Sequence, residues 1–123
     1  MKTGTAIEGI VKLREIIHKQ NLWNDPNALS DVVVKLSVYN SYIADNLAPL
    51  HKNATDKAYA VYTEAKAGGM ATNAADMESR GNSTDEREAY ENVQNIYRAT
   101  SNLITVIQSR LKVIQTQMSQ EGI

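Results

Sequence analysis

Residues Tyr90 to Met118 read YENVQNIYRATSNLITVIQSRLKVIQTQM, and the spacing of their apolar side chains decides the fold. Tyr90, Val93, Tyr97, Thr100, Ile104, Ile107, Leu111, Ile114 and Met118 alternate steps of three and four, with Thr100 the single polar member. A three-four alternation puts every one of these positions on one side of an α-helix, in heptad register. One helix cannot bury such a seam alone, so a second apolar seam must exist in the chain or in a partner.

Upstream, Leu29, Val32, Leu36, Tyr39, Ile43, Leu47 and Leu50 supply it, and Ala54, Ala58, Val61 and Ala65 continue it after a one-residue shift of phase. The helix predicted there runs from Pro26 to about Lys66. Asp25 reads as its N-cap and Pro26 as its first residue, where the fixed φ and missing donor do no harm. Pro49 lies inside the pattern. An interior proline removes one hydrogen bond and crowds the preceding turn, at about 3 kcal/mol, so a kink near Ala48 or a break restarting at Thr55 is expected.

The third helix opens at about Thr84, behind a capping-box pair of Ser83 and Glu86, and continues to Ser119. Ala67 to Ser83, with Gly68-Gly69 and Gly81-Asn82, reads as a loop holding a helical turn or two from Ala74 to Arg80. A first helix covers Thr5 to about Gln20, with Thr5 and Glu8 as capping box and Ile7, Ile10, Val11, Leu13, Ile16 and Ile17 as apolar face. Trp23 reads as a plug on the core's end. The two long helices come out at ~60 and ~54 Å. The expected fold is therefore all-α in a single domain, 1–123: a short N-terminal helix packed on a long antiparallel helical hairpin, with helices at 5–20, 26–66 and 84–119 and the loop at 67–83.

Composition narrows the function classes. The chain has 123 residues and no cysteine, which rules out a disulfide framework or a thiolate metal site. No apolar run approaches the ~20 residues of a membrane span, and no apolar core of a signal peptide follows Met1; a cytoplasmic protein is expected. Thirteen basic residues face fourteen acidic ones, eight and seven over residues 1–66 and five and seven over 67–123, with no basic stripe of the kind a duplex-DNA binder carries.

Motifs for chemistry are fragments. Glu15 and His18 give one Glu-x-x-His step, whereas carboxylate-bridged di-iron bundles need two of these and two further glutamates. Glu88 and Glu91 share a helical face, but Glu121 is the only acid downstream, so the second half of a magnesium-holding pair of motifs is missing. Gly68-Gly69 has no lysine-serine sequel and is no phosphate loop. Arg14 and His18 form a minor anion-binding candidate. No catalytic, cofactor or metal residue is assigned, and a non-enzymatic protein is expected.

An interaction surface is the better reading. Off the seam, the third helix is nearly bare of charge: Asn102, Thr105, Gln108 and Ser109 belong to this flank, and only Arg98, Arg110 and Lys112 interrupt it. Solvated helices usually interleave Glu and Lys. Ile96, Leu103, Val106 and Val113 widen the apolar stripe further. Such a helix is expected to be covered on more than one side, by the first helix and by a second copy of the chain. A second candidate surface gathers Tyr59, Tyr62, Lys57, Lys66, Arg80 and Arg87 near the glycine-rich loop, an aromatic and basic set suited to stacking single-stranded DNA.

Several segments carry a resemblance: Tyr62-Thr63-Glu64-Ala65-Lys66, Asp85-Glu86-Arg87-Glu88-Ala89, Ala99 and Gln108-Ser109-Arg110-Leu111-Lys112. Across Tyr59 to Met118 the chain resembles a group of small helical proteins encoded by tailed phages, often beside genes for Erf-type annealing proteins and single-strand binding proteins. The resemblance implies phage origin and an accessory role near recombination or replication; a protein of nucleic-acid metabolism is then the expected partner, in the host cytoplasm. It implies no activity.

Overall fold

The computed structural model describes residues 1–121. Its elements are α1 (Thr3–Lys19), a single 3-10 turn (Leu22–Asn24), α2 (Pro26–Ala67), α3 (Thr72–Asn82) and α4 (Thr84–Glu121), with no strand among the described residues. The all-α class is as the periodicity predicts. The chain divides into two compact units, one formed by Met1–Ala44 with the chain from Ile96 on, the other by Asp45–Asn95. The two long helices contribute a segment to each.

In the first unit α1, the early part of α2 and the late part of α4 surround one core. Ala6, Ile10, Leu13 and Ile17 enter it from α1, Leu29, Val32, Leu36 and Ile43 from α2, and Ile107 and Ile114 from α4. The face of α1 is narrower than predicted: Val11 and Ile16 stay exposed. Helices α2 and α4 run antiparallel here. Arg110 donates to Trp23 O and Asn24 Oδ1 just before α2 begins, while Asn40, farther along α2, donates to Tyr97 O and Ser101 Oγ, farther back on α4. Trp23 does sit half-buried at this end, held through its carbonyl.

One stratum of this core is polar. Thr100, the odd member of the seam, is only 1% exposed, and Asn40 of α2 is 6% exposed. Asn40 Nδ2 finds Ser101 Oγ at 3.0 Å, but neither Asn40 Oδ1 nor Thr100 Oγ1 has a hydrogen-bond partner. An unmet buried polar atom costs about 1–3 kcal/mol.

Helix α1 approaches α2 closely through Gly9. A Cβ added there would lie 2.5 Å from Tyr39 Cζ and under 3 Å from two further ring atoms. Gly9→Ala must therefore displace the Tyr39 ring from its seat. The expected result is a loss of about 1–3 kcal/mol, although alanine is the better helix former. Urea unfolding checks it; Gly4→Ala, with nothing within 4 Å, is the control and should be neutral or stabilising.

In the second unit α3 packs on α2, with Ser79 Oγ donating to Ala58 O at 2.7 Å, and the His51 and Tyr90 rings meet edge to face at 5.0 Å between α2 and α4. Ala54, Ala58, Val61 and Ala65 are half-buried, as a seam of small side chains would be.

Local expectations fare unevenly. The Asp25 cap forms, its Oδ1 accepting from Ala28 N at 3.1 Å. Neither capping box does. Helix α1 starts two residues before Thr5 with no side-chain cap, and the buried Ser83 hydroxyl donates backwards to Ser79 O at 2.7 Å. Helix α2 does not break at Pro49 or restart at Thr55; it is helical throughout, leaving one backbone bond unmade. The predicted loop 67–83 shrinks to a short turn, because Thr72–Asn82 is an eleven-residue helix. Asp76 and Arg80 pair across one of its turns at 2.9 Å. The turn before it is closed by Gly69, at φ +89°: Met70 N reaches Ala65 O and Gly69 N reaches Lys66 O, the double bond pattern that satisfies the last carbonyls of a helix.

Candidate interaction surfaces

The buried positions of α4, Thr100, Ile107 and Ile114, fix which way the rest of the helix points. At about 100° per residue, Ala99, Val106 and Val113 stand about 100° round from the core direction, and Asn102, Ser109 and Thr116 about 200°. All six are exposed, Val106 by 50% and Val113 by 48%. Together they form a second three-four alternation, 99, 102, 106, 109, 113 and 116, on the side of α4 away from its core and ~26 Å long. No member carries charge.

Two threonines on this side have turned their hydroxyls inward. Thr105 Oγ1 donates to Ser101 O at 3.1 Å and Thr116 Oγ1 to Lys112 O at 3.0 Å. Their donors are already satisfied, so covering them would cost little desolvation. Arg98, Gln108 and Lys112 are exposed on the same helix. The structure thus places Arg98, Asn102, Thr105, Gln108, Ser109 and Lys112 on the accessible part of α4, and adds Ala99, Val106 and Val113. The first helix leaves both valines uncovered.

A second exposed apolar row lies on α2 of the same unit. Val34, Val38 and Tyr42, four residues apart, are 62%, 47% and 39% exposed. Sequence reading passed over them because Val34 belongs to an apolar triplet whose first member, Val32, serves the core. The regular spacing of four, one step off the seam, was the available signal.

The aromatic and basic set of the second unit is not brought together. Arg80 and Arg87 line a cleft of about 410 Å³ with His51, Thr55, Tyr90 and Glu91. Arg80 is paired to Asp76, and Arg87 Nη2 sits 3.5 Å from Arg80 O. Lys57 lines a different cleft, beside Glu64 and Glu78. Tyr59 is 71% exposed, Tyr62 half-buried, and neither lines either cleft. Lys66 Nζ donates to Thr72 Oγ1, tying the end of α2 to the start of α3.

Residues considered for chemistry remain scattered. Glu88 and Glu91 are exposed, and among the described residues no three His, Asp or Glu side chains converge as metal ligands would. No described helix is long and apolar enough to cross a membrane.

Comparison with protein-family models, with curated proteins and with solved structures gives no match to this chain.

Proposed function

We propose that this chain is a non-enzymatic helical interaction protein that self-associates through the outward side of α4. One observation carries the reading: an uncharged three-four row, 99 to 116, lies exposed on a helix whose core seam is already occupied within its own unit. Exposed helix surface that serves only solvent has no reason to keep one whole three-four row free of charge over five turns, with Arg98 and Lys112 standing just beside it. A heptad-spaced row of small and β-branched side chains does suit a second helix, since Ala, Ser and Thr let backbones approach and Val supplies apolar area. The row on α2, Val34, Val38 and Tyr42, is offered to a protein partner. The resemblance of Tyr59–Met118 to phage-encoded helical proteins supports a role beside recombination or replication, where that partner would be a protein of nucleic-acid metabolism.

Single-stranded DNA binding is the rival. It has less support, because its tyrosines and arginines line no common cleft and Arg80 is neutralised by Asp76.

Sedimentation equilibrium tests the leading reading. A dimer is expected at concentrations on the order of 10 µM. A chain that remains monomeric at tenfold higher concentration overturns it.

A further inference from the structure

A cleft of about 360 Å³ opens in the first unit between α1, the turn that follows it and α4, lined by Arg14, Ile17, His18, Asn21, Trp23 and Leu103. Its size falls in the range of small-ligand sites, roughly 300–1,000 Å³. Half of its lining is apolar, with one large aromatic ring, and half donates hydrogen bonds.

The chain builds this arrangement from local rules. Arg14 and His18 are four residues apart, so both stand over the same strip of α1. Asn21 takes the left-handed conformation, φ 48°, and turns the chain back so that Leu22–Asn24 fold beside the end of α1. Arg110 then pins that turn by two hydrogen bonds, 2.9 Å to Trp23 O and 2.6 Å to Asn24 Oδ1. The backbone that carries Trp23 is thus held against α4.

The charge is unbalanced. Arg14 has no carboxylate within 4 Å among the described residues. Its neighbour Glu15 does not line this cleft but shares an adjoining groove with Val11, Lys19 and the same Arg14 and His18, without pairing to either, and Asp25 is engaged at Ala28 N. The carbonyls ending α1 oppose an anion with only about half a charge, against the full charge of the guanidinium. That guanidinium offers a planar fork of donors, the imidazole and the Asn21 amide add others, and phosphate has three oxygens to receive them.

We propose that this cleft binds a phosphate monoester with a flat aromatic body, the ring against Trp23, Ile17 and Leu103 and the phosphate at Arg14 and His18. The proposal does not rest on the self-association of α4, although Leu103 adjoins the row at Ala99 and Val106.

Trp23 is the only tryptophan in the chain, so its fluorescence reads the cleft directly in the full-length protein. Titration with phenyl phosphate is expected to change Trp23 emission saturably, with half-effect at or below about 1 mM. Arg14→Gln should weaken that response at least about tenfold, and His18→Gln less. Inorganic phosphate and benzyl alcohol, each lacking one half of the ligand, should both require about tenfold more. Arg14 and His18 are exposed, so helix content by circular dichroism should be unchanged in both variants. No saturable change with phenyl phosphate overturns the proposal. So does a response that survives Arg14→Gln, or one that benzyl alcohol matches.

Discussion

Ile107→Ala is expected to lower the unfolding free energy by about 2–5 kcal/mol, whereas Val106→Ala, one residue earlier, should cost less than about 0.5 kcal/mol in dilute solution. Ile107 is 0% exposed and Val106 50%. Ile107 is one of the two apolar residues by which α4 enters the buried core of its unit. Truncating it removes apolar surface and leaves a cavity between helices that cannot simply close, because α1 and α2 also pack on each other through Gly9 and Tyr39. Val106 loses little, and alanine partly compensates by its higher helix propensity. Urea unfolding followed by circular dichroism measures both, and roughly ten degrees or more should separate their thermal midpoints. Concentration adds a second reading. If α4 pairs with a second copy, the penalty at Val106 grows as the protein is concentrated, since only the associated state buries it. Equal penalties at 106 and 107 in dilute solution would contradict the orientation of α4.

The double substitution Val106→Glu and Val113→Glu should weaken self-association at least about a hundredfold while leaving the monomer folded. Both valines are half exposed within their unit, so a charge there meets water in the monomer. In a symmetric pair each substitution occurs twice, and four carboxylates would enter a row with no cation among its members. Arg98 and Lys112 stand nearby on the same helix, and their presence is the reason for choosing glutamate at two positions rather than one. Sedimentation of the variant beside the parent protein reads the effect, and circular dichroism confirms that helix content is kept. A variant that associates as the parent does would move the interface away from this side of α4.

Periodicity was sufficient for the long helices because each has a seam many turns long, and the error of any one residue is diluted. It failed for Thr72–Asn82, where small residues and Gly81 imitate a loop. That helix is held by tertiary contact, Ser79 to Ala58 O, and by the Asp76–Arg80 pair, and a packing contact leaves no mark in composition. The capping signatures failed for a related reason. A serine hydroxyl can donate backwards or accept forwards, and burial of Ser83 against α3 decided in favour of Ser79 O. At the candidate surface, the absence of charge along α4 could be seen in the sequence, as could the surplus valines. Which way they faced could not, since that depends on where α1 and α2 settle around Thr100 and Ile107. The Trp23 cleft was more hidden still: Arg14 and His18 were visible as a pair on one helix, but Leu103 and the Arg110 tether come from far along the chain.

The Asn40 and Thr100 stratum bears on how many ways these helices can fit together. Heptad seams tolerate sliding, because each apolar layer resembles the next one, seven residues away. Slipping α4 by one such step would set Asn40 against Val93 or Ile107 in place of Thr100 and exchange the short Ser101 hydroxyl for the longer side chain of Gln94 or Gln108. A buried amide left without that bond is penalised, while the native alignment keeps it. The layer therefore works as a key cut at a single height. It sacrifices some cohesion at one level of the core, and in return it favours one sliding position of α4 along α2 over its heptad neighbours.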